Sequence, residues 1–272
     1  TQGSNLPNGV IVHFNLKDFD NKKDTLALYF KEQNGTLIKR YSSTEKEDKL
    51  EIKKGGNTFV WDTRYKGAEI LDGMIFWSAS FKGSKAVPGN YKVILEKNGI
   101  SQEQSFKILP DPRSEATLLD MKKQFDFVNL VNASADKAHK AIKNIRIIRK
   151  KLEDFEVVYK ENITLNSLLK KAEKLNQSLT KIEKALYQTQ NKSNQDPLNF
   201  PIRLTNKLGH LNQLVTINDF PPTDQDEIVR KLLTKKIDEN LEEYEKLIKE
   251  DLRLFNKNFS KLNLDYLTIN EN

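Results

Sequence analysis

The chain has 272 residues, 37% apolar and 31% charged, enough of each for a folded, very soluble protein of one large or two ordinary domains. It contains no cysteine, which excludes disulfides and thiolate metal sites, and no apolar run approaches the roughly 20 residues of a membrane-crossing helix. The net charge of +7 is evenly spread: 17 basic and 14 acidic groups in residues 1–112 give +3, leaving 28 and 24, or +4, for the rest. Nucleic-acid binding calls for clustered positive charge on a reading module, so no nucleic-acid partner is expected.

The chain opens on Thr1, without a methionine or a signal peptide, and enters a strand within ten residues. It is expected to be a piece of something longer, with any targeting signal left behind. Val10–Leu16 alternates, with Val10, Val12, Phe14 and Leu16 on one face, the mark of a strand with one buried side. Residues 26–30 and 36–41 flank Asn34-Gly35, a hairpin dipeptide because both residues tolerate positive φ. Residues 57–62 (NTFVWD) form a strand entered from Gly55-Gly56. Pro88-Gly89 turns into residues 91–95, and Asn98-Gly99 makes a second hairpin into 104–108. Residues 50–52 and 75–77 are two further short-strand candidates.

Six to eight short strands separated by turn chemistry predict an antiparallel sandwich of immunoglobulin or fibronectin type III kind. Trp61 is its expected central core residue. Asp62 and Arg64, in W-D-T-R-Y, are expected to form an ion pair closing one end. Trp77 and Phe81 are the residues of this part that would stack on a ligand.

Leu109-Pro110-Asp111-Pro112 belongs to neither a sheet centre nor a helix interior, and the expected domain boundary falls here: 1–110 sandwich, 111–272 helices. Thr117 and Asp120 resemble a capping box. Met121, Phe125, Val128, Ala135, Ala138, Ile142, Ile145 and Leu152 then recur at three- and four-residue steps, with polar Asn132 and Arg149 in register, predicting one helix of about 35–40 residues. Leu165, Leu168, Ala172, Leu175, Leu179, Ile182 and Leu186 mark a second helix. Leu204, Leu208, Leu211 and Val215 mark a short third. Pro221-Pro222-Thr223-Asp224 stops it and caps a fourth, read with a seam of Ile228, Leu232, Leu241, Tyr244, Ile248, Leu252, Phe255, Phe259 and Leu262. Narrow apolar seams in series predict an antiparallel four-helix bundle.

The polar stretch 187–208, YQTQNKSNQDPLNFPIRLTNKL, is long for an interhelical loop. Asp196-Pro197 and Asn199-Phe200-Pro201 are read as successive helix starts. The expectation is that 187–201 runs along the bundle beside the short third helix, anchored by Leu198, Phe200 and Ile202. Asn191 and Asn194 carry amides able to bind a sugar, although loop amides also bond their own backbone. His13, His139 and His210 lie on different elements, without the convergent ligands a zinc site needs, and no phosphate loop, nucleophile elbow or zincin motif occurs. No catalytic residue, metal or cofactor is expected.

Several blocks carry a resemblance: GSNLPNGV at 3–10, NTFVWDTRY at 57–65, PGNYKV at 88–93, RSEATLLDMKKQFDF at 113–127 and the stretch 187–208. Together they resemble the C-terminal region of large secreted bacterial proteins, common in Bacteroidetes, usually labelled glycosyl hydrolase, BNR-repeat or sortilin-like. In that family an N-terminal β-propeller precedes an immunoglobulin-like domain and a helical tail. The resemblance implies an extracytoplasmic location, an absent β-propeller of the same polypeptide as partner, and any catalytic acids in that propeller. The expected role is a non-catalytic accessory or interaction module with a protein partner; the alternative is a carbohydrate-binding module aiding glycan breakdown. Phe127, Ile147 and Tyr266 are expected as exposed apolar contacts.

Overall fold

The computed structural model describes residues 3, 5–20 and 22–262; Tyr266 lies outside them. Six strands come first: β1 (Val10–Leu16), β2 (Leu26–Glu32), β3 (Leu37–Ser42), β4 (Gly55–Trp61), β5 (Gly89–Lys97) and β6 (Ile100–Ile108). β1 and β4 form a two-stranded antiparallel sheet. The other four make an antiparallel sheet in the order β3-β2-β5-β6. The alternation in β1 has its expected result, since Val10, Val12, Phe14 and Leu16 all join the core shared by the two sheets. At its centre the indole of Trp61, wholly buried, stacks on Phe30 at 4.5 Å, and its Nε1–H donates to the carbonyl of Arg64 at 3.1 Å.

Asn98 and Gly99 both take positive φ, as a tight two-residue hairpin requires. At Asn34-Gly35 only Gly35 does, and the β2–β3 register slips between Phe30 and Lys31 instead. Neither 50–52 nor 75–77 is a strand. Leu50 and Ile52 still pack into the sheet core, whereas 75–77 belongs elsewhere.

The helices are α1 (Leu118–Tyr159), α2 (Asn166–Leu186), α3 (Leu204–Val215), α4 (Asp224–Leu247) and α5 (Arg253–Ser260). Thr117 and Asp120 do form a reciprocal cap on α1, and Thr223 and Asp226 do the same on α4. The shorter Asp side chain therefore reaches as Glu would. The α2 seam is buried at every predicted position, and in α1 even Asn132 is buried.

The α4 seam departs from expectation at its start. Ile228 is 58% exposed and Leu232 50%, while Leu233 and Ile237 are the buried pair. Seven apolar steps from Leu233 to Phe259 consume about one residue more than seven α-turns supply. A π-turn at Ile248–Leu252 absorbs the excess and keeps Phe255 on the buried face.

By their contacts the described residues form two compact units, with limits set by packing rather than by the periodicity switch near Pro110. The first holds the chain up to Ala68, Lys82–Asn132 and Val215–Pro222; the second holds Glu69–Phe81, Ala133–Leu214 and the chain from Thr223 on. In the first, the Gln124 amide nitrogen lies 2.7–3.0 Å from the carbonyls of Val215, Asn218 and Phe220. Ser84 donates to Asn129 at 2.7 Å, and Phe127, expected on the surface, is buried.

Tyr65 N–H donates to Ser84 O, and Ala86 N–H to Thr63 O, so residues 63–65 and 84–86 lie side by side. Gly83 makes that approach possible, because a Cβ there would stand 2.0 Å from the Tyr65 carbonyl oxygen. Residues 66–82 thus leave and return through one narrow neck.

In the second unit the Glu183 carboxylate, its side chain 3% exposed, takes Arg146 Nε at 2.7 Å and Arg149 Nη1 at 2.8 Å. This ties α1 to α2 through a charge-assisted fork.

Candidate functional site

The segment Glu69–Phe81 has no ladder partner, yet its backbone groups still require hydrogen bonds. Side chains of α1 and α3, and of Tyr187 just past α2, provide them. On α1, Asp136 and His139 share a face at i, i+3. Asp136 Oδ1 accepts the Glu69 N–H at 2.7 Å, and His139 Nδ1 lies 2.5 Å from the Glu69 carbonyl. Just past α2, the Tyr187 hydroxyl accepts the Ile75 N–H at 2.8 Å.

On α3, Asn206 accepts from Trp77 N–H and donates to Trp77 O, both at 2.8 Å. Ser80 N–H reaches the Gly209 carbonyl at 2.9 Å. His210 Nδ1 faces Ser78 O at 2.6 Å, and Asn212 Nδ2 donates to Ser80 O at 2.9 Å. An irregular strap is thereby laid across helices by partners that read main chain rather than side chain.

The strap's aromatic residues complete the attachment. Phe76, Phe81, His139 and Tyr187 form one cluster, with Phe76–Phe81 centroids 4.8 Å apart and Phe81–His139 5.1 Å. Phe81, a predicted ligand-stacking residue, is 3% exposed and lies directly on Gly209, where a Cβ would come within 2.6 Å of its ring. Trp77 is 39% exposed. Of the two, only Trp77 keeps an open ring, because Phe81 lies under the strap against Gly209.

His139 is buried, which holds its pKa below the ordinary value of 6.5 despite the Glu69 carbonyl and the charges of Asp136 and Glu69. Its Nε2 has no partner among the described residues, as befits a neutral ring carrying its hydrogen on Nδ1. His210 is half-buried, and His13 is exposed beside Thr58.

The stretch after α2 is an excursion whose two ends are tied together. Gln188 Nε2 donates to Pro201 O at 2.9 Å and Thr205 Oγ1 to Leu186 O at 2.9 Å, so the excursion closes on itself. The Asp196 carboxylate is the hub inside it. It accepts N–H groups of Lys192 and Ser193 and the Ser193 hydroxyl, and these bonds lower its pKa.

Asp196, Pro197 and Leu198 make a single 3-10 turn with the proline in its first positions. Leu198, read as an anchor, is 66% exposed, while Phe200 and Ile202 are half-buried and Pro201 is exposed. Asn191 faces the strap with its Nδ2 3.5 Å from Ile75 O, and Asn194 is exposed. Asp62 and Arg64 make no ion pair. Asp62 Oδ1 accepts the Arg64 N–H, and the guanidinium donates to Gly83 O at 2.9 Å, bracing the neck.

Sequence reasoning missed Asn206, Gly209, His210, Asn212 and Asp136 as the strap's holders. The available signal was Asn206, Gly209 and His210 at i, i+3, i+4 on one side of a short helix. Among the described residues no group of three or more His, Asp or Glu is placed to hold a metal ion, and no helix is long and apolar enough to cross a membrane. No protein-family model, curated protein or solved structure matches this chain.

Proposed function

We propose that the chain is a non-catalytic accessory and interaction module, with its strands arranged as an immunoglobulin-like sandwich and its long helices as an antiparallel four-helix bundle. On the resemblance of its sequence blocks, it would form the C-terminal end of a secreted, extracytoplasmic β-propeller protein of the glycosyl hydrolase-like, BNR-repeat or sortilin-like kind. The observation that carries the reading is the use made of the helical unit's polar groups. Asn206, Asn212, His210, Tyr187 and Asp136 are committed to the main chain of Glu69–Phe81. Such groups fix a scaffold; they have little left to offer a substrate.

The apolar side chains left outward on the helices, Ile147 on α1 and Ile228 and Leu232 on α4, supply contact surface for a protein partner. The test is co-sedimentation of this chain with the separately produced preceding part of its polypeptide, alongside turnover assays on chromogenic glycosides and peptides. Association without turnover is expected. Turnover by the chain alone would refute the reading.

A second reading, carbohydrate binding, is favoured by Trp77 alone. Its ring is partly open while Asn206 fixes its backbone on both sides. A glycan array probed with the wild-type chain and with Trp77→Ala separates the two. Binding lost in the variant supports this second reading, and absence of binding removes it.

A further inference from the structure

The two edges of the four-stranded sheet are finished differently. β3 is short, its ladder slips, and the loop after it folds back alongside. Ser42 bridges Lys49, Leu50 N–H donates to Ser42 O at 2.9 Å, Lys39 pairs with Asp48 at 2.9 Å, and Arg40 pairs with Glu45. β6 has no such cover. Its nine residues pair with β5 in unbroken register from Gly89↔Ile108 to Lys97↔Ile100, contain no proline, and meet no described strand on the other side. Every residue from Ile100 to Ser105 is exposed. A regular edge of this length presents a row of N–H and C=O groups to which another strand can add.

The side chains state which strand. Phe106 and Ile108 pack on the sheet core, so Glu103, Ser105 and Lys107 share the opposite, solvent face. Glu103 uses Oε1 on Lys92 at 2.8 Å, while Lys107 has no ion-pair partner among the described residues.

We infer that β6 is a homotypic docking edge that receives β6 of a second copy of this chain, antiparallel and centred on Ser105. A two-fold axis there places Glu103 of each copy opposite Lys107 of the other, so a single strand supplies both halves of two ion pairs. The overlap runs from Gln102 to Ile108 in each copy. With so small an interface the dimer is weak and reversible.

Because the chain lacks cysteine, one introduced thiol reports its own encounters. Ser105→Cys is treated with a short bis-maleimide, with Thr58→Cys, at an exposed position of β4, as the control. Ser105→Cys is expected to cross-link several-fold faster. Adding Lys107→Glu slows it to the control rate, and further adding Glu103→Lys restores it. Equal rates at positions 105 and 58, or a rate unmoved by Lys107→Glu, would overturn the proposal.

Sedimentation of the untagged wild type, with Ser105→Pro beside it, reads the same edge without a thiol. The wild-type mass climbs toward dimer with concentration and the proline variant stays monomeric. A wild type that remains monomeric at millimolar concentration overturns the proposal, and leaves β6 at most an edge for a different protein.

Discussion

The Asn206 side chain closes on both main-chain groups of Trp77, its Oδ1 accepting the N–H and its Nδ2 donating to the C=O, each at 2.8 Å. One amide here does what a neighbouring strand would do for that residue. Asn206 is itself buried, so water does not readily replace it. Asn206→Ala is therefore expected to destabilise the protein by about 2–4 kcal/mol, the cost of two unsatisfied backbone groups. Denaturant titration reads the loss, and amide hydrogen exchange at Trp77 should quicken selectively. A variant with an unchanged midpoint would mean the clamp is idle.

Gly209 has no room for a methyl group beneath Phe81. Gly209→Ala should cost about 1–3 kcal/mol by overpacking. Phe81→Leu in the same chain should recover part of that loss, a coupling that a double-mutant cycle measures. Additive effects would contradict the contact.

Glu183 answers two arginines, and its side chain is almost wholly buried. Removing it as Glu183→Ala leaves Arg146 and Arg149 facing each other. Both remain partly solvated, which sets the expected cost at about 3 kcal/mol, the low end for a broken buried pair. Calorimetric unfolding tests this, and a loss within error of zero would show that solvent already screens the cluster.

His139 gives the second unit a pH dependence. Burial holds its folded pKa below 6.5, against the opposing Glu69 carbonyl and Asp136 and Glu69 charges and with Arg146 reinforcing. The unfolded chain then takes up a proton that the folded chain refuses. Stability from this group is present above pH 6.5 and lost as pH falls below it. The melting temperature should fall over that range in the wild type and less steeply in His139→Gln, whose amide can still donate to Glu69.

Glu156 works in the opposite sense. Burial, helped by Glu173 and Glu153, raises its pKa above 4.5, and Oε1 has no partner among the described residues. A raised carboxyl pKa contributes stability below the unfolded value that is lost as pH rises through the folded one. Glu156→Gln should then melt higher than wild type at neutral pH, with the two curves converging in acid. A lower melting point at pH 7 would count against it.

How far the sequence could be read depends on the kind of order involved. β1 and α2 were legible because one face packs on apolar neighbours along their whole length, so period two and the three-four step stand out. The α4 seam was misread at Ile228 and Leu232. Those residues keep the period of the buried row but sit one position out of phase with Leu233 and Ile237. Periodicity alone does not choose between adjacent rows.

Glu69–Phe81 was opaque for another reason. Its order comes from side chains on two distant helices and from Tyr187, and nothing within the segment announces them. Trp77 and Phe81 were visible as aromatics. Their separate fates were decided by Gly209, more than a hundred residues later in the chain.

The strap also bears on heredity. Domain shuffling moves contiguous stretches of coding sequence, and a stretch that begins after the last strand would encode helices without the residues that occupy Asn206, Tyr187 and His139. Such a transplant would arrive with backbone-reading amides exposed and a glycine groove left vacant. Selection should therefore keep Glu69–Phe81 together with the helices that hold it whenever either is passed to another protein.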